Sequence, residues 1–139
     1  MTTTQNYPLP EILLLEDDIA TTSILGIWLR GLCHITAVTD GESTFRAIEG
    51  RLRENRLFDL MLFDINIPFP WNGLTLMEEI YKRYEPYKRI PFVAQTAYAM
   101  PQDKDRLLEA GFSGYISKPL DRELLIRIVQ KHLCEAANV

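Results

Sequence analysis

Ile12-Leu13-Leu14-Leu15-Glu16-Asp17-Asp18 is an unbroken apolar row followed at once by three acids. A run that short and that uniformly apolar suits a strand covered on both faces, because a strand with one wet face alternates. The acids that stop it then stand at the carboxyl end of the strand. Ile35–Val38, Leu60–Phe63, Pro91–Ala94 and Gly114–Ile116 are further short, mostly apolar runs of the same kind.

Segments of helical period separate them. Ile24, Ile27 and Trp28 make one apolar stripe, Phe45, Ile48 and Leu52 a second, and Leu74, Met77, Tyr81 and Tyr84 a third. Leu107 and Ala110 mark a weaker fourth helix, and the fifth carries two rows, Leu120, Leu124, Ile128 and Leu125, Val129, Leu133. All of these read as core faces. Asp40-Gly41 and Asn72-Gly73 offer side-chain caps for helix starts, Pro101 suits a first helical turn, and Gly111 suits a helix end. Strand and helix in alternation predict an α/β fold, a five-stranded parallel sheet in a doubly wound, flavodoxin-like (βα)5 arrangement with strand order 2-1-3-4-5.

The 139 residues, 47% of them hydrophobic, fit one compact domain over residues 11–135, with a lead-in at 1–10 and a tail at 136–139. A net charge of -4 with scattered Lys and Arg argues against direct nucleic-acid binding. No apolar run is long enough for a membrane span, and the polar start lacks the layout of a signal peptide, so a cytoplasmic location is expected. Cys33 and Cys134 show neither zinc spacing nor a disulfide framework, and Cys33 reads as a small core residue. His34 and His132 read as ordinary surface or edge residues, and Asp103-Lys104-Asp105-Arg106 as a solvated helix face.

In an open parallel sheet, ligands bind beyond the carboxyl ends of the strands where the order reverses, here between the first and third strands. Glu16, Asp17 and Asp18 meet Asp64 there. Two unit charges ~4 Å apart cost on the order of 4 kcal/mol at an effective dielectric of ~20, so the cluster calls for a cation or a shared proton. All-oxygen ligands favour a hard ion, and Mg²⁺ is the one that accepts a phosphate oxygen beside one or two carboxylates. Strand four ends in Gln95-Thr96-Ala97, which supplies a hydroxyl, and strand five in Ser117-Lys118-Pro119, which supplies an ammonium. A carboxylate nucleophile, a divalent ion, a hydroxyl and an ammonium form a site for in-line phosphoryl transfer. The strand-end position of Asp64 and its three acidic companions argue for a functional role over a turn or capping one, while Asp18 reads as the cap of the first helix.

With these four motifs in order, the chain from Glu11 to about Leu133 resembles the receiver domain family of response regulators in two-component signalling. The resemblance implies that Asp17 ligates Mg²⁺ directly and Glu16 through water, with the backbone carbonyl of Asn66 a further ligand. It makes Asp64 the phosphoacceptor, Thr96 and Lys118 the groups on the phosphoryl oxygens, Thr96 and Tyr115 the switch residues, and Asn66 and Tyr98 the positions that tune phosphoryl lifetime. It also implies a cis Lys118-Pro119 bond. From Asp64 to Gly73 this sequence is one residue longer than the family pattern, the extra residue lying in Phe69-Pro70-Trp71-Asn72. Trp71 either covers the sheet end or contacts a kinase.

The implied partner is a sensor histidine kinase or histidine phosphotransfer protein. The implied output is a surface of helix four, strand five and helix five that changes affinity for a downstream protein. The protein is expected to catalyse only its own phosphorylation and dephosphorylation, and so is not an enzyme in the usual sense. No output domain follows Leu133, so the signal passes by binding or onward transfer unless the chain is part of a larger hybrid kinase. A haloacid-dehalogenase-type phosphotransferase needs an acid where Asn66 stands, and a flavin carrier would be repelled by Glu16, Asp17 and Asp18. The remaining alternative is a receiver-like docking module silent to phosphorylation.

Overall fold

The computed structural model describes residues 8–97 and 100–137. Five parallel strands, β1 (Glu11–Leu15), β2 (His34–Val38), β3 (Leu60–Asp64), β4 (Phe92–Thr96) and β5 (Gly114–Ser117), form one sheet in the order β2-β1-β3-β4-β5. Crossovers are α1 (Ile19–Trp28), α2 (Gly41–Arg53), α3 (Gly73–Arg83) and α4 (Pro101–Ala110), with a 3-10 turn at Glu85–Arg89, and α5 (Arg122–Ala137) closes the fold. This is the doubly wound order expected from the sequence.

Each strand feeds two cores by alternation. Leu13, Leu15, Met61, Phe63, Phe92 and Ala94 pack under α2, α3 and α4, against Phe45, Ile48, Leu76, Met77, Ile80 and Leu107. Ile12, Leu14, Leu60, Leu62, Val93 and Ile116 pack under α1 and α5, against Leu25, Leu125 and Val129. Because both faces of the central strands are covered, residues 12–15 and 60–63 need no polar positions and read as continuous apolar runs, whereas the edge strand β2 is only partly covered and carries His34 and Thr36. Cys33 is buried in the second core, as expected.

The helix starts follow their caps. Asp18 accepts from the Thr21 N–H at 3.0 Å, Asp40 from the Ser43 N–H at 2.8 Å, and Asn72 from the Thr75 N–H at 2.8 Å. In the last two the residue-43 or residue-75 hydroxyl reaches back to the cap, closing a capping box. Pro101 opens α4 and Gly111 ends it at φ 126°.

Several packing expectations change. In α1 the buried residue is Leu25, with Leu29 just past the helix, while Ile24 is 44% and Ile27 64% exposed and Trp28 is half-buried. That helix is apolar on several sides, so periodicity alone did not select the inward face. In α3 Met77 is buried as expected, but the deepest companions are Leu76 and Ile80, with Leu74, Tyr81 and Tyr84 only lapping the core. In α5 the row through Leu125 and Val129 is inside and Leu124 is exposed.

His132 is a correction. It is only 6% exposed, on the inward side of α5, and its Nε2 lies 2.6 Å from where a Cβ on Gly114 would be. Glycine at position 114 therefore leaves the room that the His132 ring takes up between α5 and β5. His34 is exposed, as expected. Strand boundaries also shift by a residue or two: β4 begins at Phe92 after Pro91, and β3, β4 and β5 extend to Asp64, Thr96 and Ser117.

Candidate functional site

Asp64 is the last residue of β3, so its side chain leaves the sheet at the edge where β1 and β3 diverge. Glu16 follows β1 and continues the ladder by donating its N–H to the Val38 carbonyl at 3.0 Å. Lys118 follows β5 and likewise donates its N–H to the Thr96 carbonyl at 2.8 Å. Three strand ends and the turns after them thus deliver acid, acid and ammonium to one place. They line a cleft of about 320 Å³, together with Asp17, Asp18, Thr21, Ile65, Asn66, Thr96 and Ala97.

Within the cleft Lys118 Nζ is 2.7 Å from Asp64 Oδ2 and 3.5 Å from Glu16 Oε2. Asp64 Oδ1 accepts the Asn66 N–H at 2.9 Å, so both oxygens of this buried carboxylate are engaged. Glu16 is buried as well and accepts the Asp18 N–H at 3.3 Å, whereas Asp17 is exposed at the rim. Burial pushes the Glu16 carboxyl up to about 7, aided by a hydrogen bond with Asp64 and that residue's charge, with Lys118 pulling the other way. Burial works against charge on Lys118, but its hydrogen bond to Asp64 and the attraction of Asp64 and Glu16 outweigh this and hold its pKa above the ordinary lysine value.

One oxygen from each of Glu16, Asp17 and Asp64 lies within 4.8 Å of the others. Three carboxylates this close, against one ammonium, leave a surplus of negative charge in a partly dry cleft, and a hard divalent cation with oxygen preference fits that donor set. Asp18 is not in the set. It caps α1, and the side-chain and backbone hydrogen bonds of Thr21 hold its carboxyl below the usual range.

The longer loop after Asp64 keeps Asn66 at the cleft and closes with the Gly73 N–H on the Ile65 carbonyl at 2.9 Å. A Cβ on Gly73 would sit 2.5 Å from the Asp64 carbonyl oxygen and 2.8 Å from Ile65 Cα, so the start of α3 presses directly on the backbone of the acid. Within the extra stretch the Phe69-Pro70 bond is cis, a feature the sequence reading did not anticipate. Phe69 is exposed, and Trp71 packs edge-on to Phe45 at 5.9 Å and covers Gly41. Trp71 is therefore partly buried over the start of α2, at the margin of the first core. The Lys118-Pro119 bond is cis, as the resemblance implied.

Of the remaining site residues expected from sequence, Thr96 is buried and lines the cleft. Tyr115 is half-buried on β5, away from the cleft lining, with the Lys104 ammonium 5.0 Å from its ring centre. Tyr98 lies outside the described residues. Sequence reasoning passed over two residues: Thr21, which lines the cleft from the first turn of α1, and Gln95, buried beside Asp64 in the sheet. Thr21 was recoverable as the third residue after a capping aspartate; Gln95 stood out only as a lone amide in an apolar strand.

Among the described residues no helix is long and apolar enough to cross a membrane. The sequence model of the response regulator receiver domain matches residues 12–130. Hybrid signal transduction histidine kinases I and M of Dictyostelium discoideum are 30% and 34% identical to this chain over 90% and 86% of its length. The chain spans only 7% and 5% of those relatives. Among solved structures, the receiver domain of sensor histidine kinase PA1611 from Pseudomonas aeruginosa PAO1, with magnesium coordinated in its active site cleft, superposes with a TM-score of 0.74. It is 32% identical, and the match covers 90% of this chain and 98% of that one.

Proposed function

The chain belongs to the response regulator receiver domain family, and on that footing we propose that it accepts a phosphoryl group on Asp64 from a phosphohistidine donor and uses the modification as a switch. The observation that carries this reading is the set of charges around Asp64: two further carboxylates within 4.8 Å and an ammonium at 2.7 Å, at the mouth of the topological crevice.

An oxygen of Asp64 attacks the phosphorus in line as the phosphorus–nitrogen bond to the donor imidazole breaks, and the imidazole keeps the bonding pair and takes up a proton. Lys118 is already at the carboxylate and follows the negative charge to the phosphoryl oxygens, and the Thr96 hydroxyl donates to another of them. The Asn66 N–H fixes the rotation of the Asp64 carboxylate, so the nucleophile needs no search. Glu16, Asp17, Asp64 and the Asn66 carbonyl would hold Mg²⁺. When bound, that ion supplies positive charge to the phosphoryl oxygens and offsets the repulsion among the acids.

In the same reading Thr96 and Lys118 draw toward the new charge, Tyr115 turns inward, and the surface of α4, β5 and α5 changes its affinity for a downstream protein. Residues 11–135 form the receiver unit. A sensor histidine kinase or a histidine phosphotransfer protein is the donor, which places the domain in the cytoplasm with the ATP that feeds such donors. Asn66 and Tyr98 set the lifetime of the acyl phosphate. A phosphorylation-silent docking role draws no support, because Glu16, Asp17, Asp64, Thr96 and Lys118 all line the one cleft.

Incubation with acetyl phosphate and Mg²⁺, followed by intact mass, tests the proposal. It expects one added phosphoryl group, absent from Asp64→Asn and from a chelated control. No adduct on the parent with either acetyl phosphate or a phosphohistidine donor would overturn it.

A further inference from the structure

Gln95 is fully buried, and both its amide oxygen and its amide nitrogen lack a hydrogen-bond partner among the described residues. Burying an amide with neither end satisfied is unfavourable relative to an apolar side chain of the same shape. Two of its neighbours on that side of the sheet, Val93 and Ile116, are apolar, and the polar one is Asp64 itself.

The place of this amide in the sheet gives it a use. Gln95 pairs in register with Asp64 on one side and Ile116 on the other. Strand alternation from Leu62, Val93 and Ile116 puts Asp64, Gln95 and Lys118 on the same face, the one covered by α1 and α5. β4 lies between β3 and β5, yet the Lys118 ammonium reaches Asp64 Oδ2 at 2.7 Å. The lysine side chain therefore spans the β4 position that Gln95 occupies.

We infer that Gln95 is a positioning residue of the phosphoryl site, whose donor and acceptor are unspent in the resting protein and are taken up when Asp64 is phosphorylated. The inference rests on the proposed acceptor role of Asp64. Forming the Asp64 oxygen–phosphorus bond removes the carboxylate charge that now holds Lys118, and the ammonium follows the charge to the phosphoryl oxygens. The Gln95 oxygen accepts from the relocated ammonium. The Gln95 N–H donates to the acyl oxygen that the ammonium has left. An amide at this point thus lowers the energy of the phosphorylated state at the expense of the resting one.

The test uses Gln95→Met and Gln95→Leu, which keep bulk but remove both hydrogen-bonding ends. Each is phosphorylated with phosphoramidate and Mg²⁺, the decay of the adduct is followed by intact mass, and thermal stability of the unmodified protein is measured alongside. The expected result is a melting temperature at or above that of the parent together with adduct decay about fivefold faster, the size of one net hydrogen bond. A merely structural glutamine gives the opposite stability change, so lowered stability or loss of fold in both variants overturns the inference. Decay at the parent rate also overturns it. A parent that takes no phosphoryl group from phosphoramidate, acetyl phosphate or a phosphohistidine donor brings down the proposed function, and this inference with it.

Discussion

The ammonium of Lys118 stands 2.7 Å from Oδ2 of Asp64 across 54 residues of chain. The contact exists because β3 and β5 flank β4 in a parallel sheet, so that their carboxyl ends open on the same side. In the resting state the lysine partly neutralises a buried acid that also faces Glu16. That pairing presets the ammonium where phosphoryl charge would develop.

Replacing Lys118 with Met separates metal binding from transfer. Adduct formation from a small phosphoryl donor falls about 100-fold, the usual size of removing one preorganised charge-stabilising donor. Mg²⁺ binding followed by calorimetry persists, since the carboxylates remain. Loss of metal binding together with transfer would show that Lys118 is needed to build the cleft.

Glu16 makes the metal-free protein sensitive to pH. Its folded-state value is raised from 4.5 to about 7, so its protonated form favours the fold: the contribution is fully present below about 4.5 and is lost as pH rises through about 7. Urea denaturation in the presence of a chelator reads this as a fall in stability across that window in the parent and a flatter profile in Glu16→Gln. Parallel profiles for the two proteins would contradict the burial and charge argument.

Gly73→Ala forces a methyl group onto the Asp64 carbonyl and Ile65. The expected cost is roughly 1–3 kcal/mol by denaturant titration, typical of overpacking. Slower phosphoryl uptake accompanies it, because the displaced backbone carries the proposed nucleophile. An alanine variant of parental stability would mean that the loop after Asp64 yields without moving the acid.

Far from the cleft, the buried Tyr87 hydroxyl accepts the Phe58 N–H at 3.1 Å. Tyr87→Phe leaves that buried N–H without an acceptor and lowers stability by about 1–3 kcal/mol. Uptake of the phosphoryl group at saturating donor is unchanged. A parallel loss of uptake would tie this end of the sheet to the chemistry at the other.

The sheet and its acids were legible because both signals are local. A both-sides-buried strand is a short apolar run, and the acid or lysine that ends it is the next residue, as in Leu15-Glu16 and Ser117-Lys118. The inward face of α1 was not legible, because Ile24, Leu25, Ile27, Trp28 and Leu29 are all apolar and only tertiary packing selects Leu25 and Leu29. His132 is buried because Gly114 leaves room for it, a relation between positions on different elements that no window contains. Gln95 likewise becomes conspicuous only once β3 and β5 are placed on either side of it.

The central claim is that Asp64 carries the phosphoryl group, and reductive trapping reads that atom directly. After incubation with acetyl phosphate and Mg²⁺, borohydride reduces an acyl phosphate to the corresponding alcohol, converting aspartate to homoserine, and peptide sequencing by tandem mass spectrometry locates it. Homoserine at position 64 alone, and none in the chelated sample, is the predicted result. Conversion at Glu16, Asp17 or Asp18, or at no position with either acetyl phosphate or a phosphohistidine donor, would contradict it.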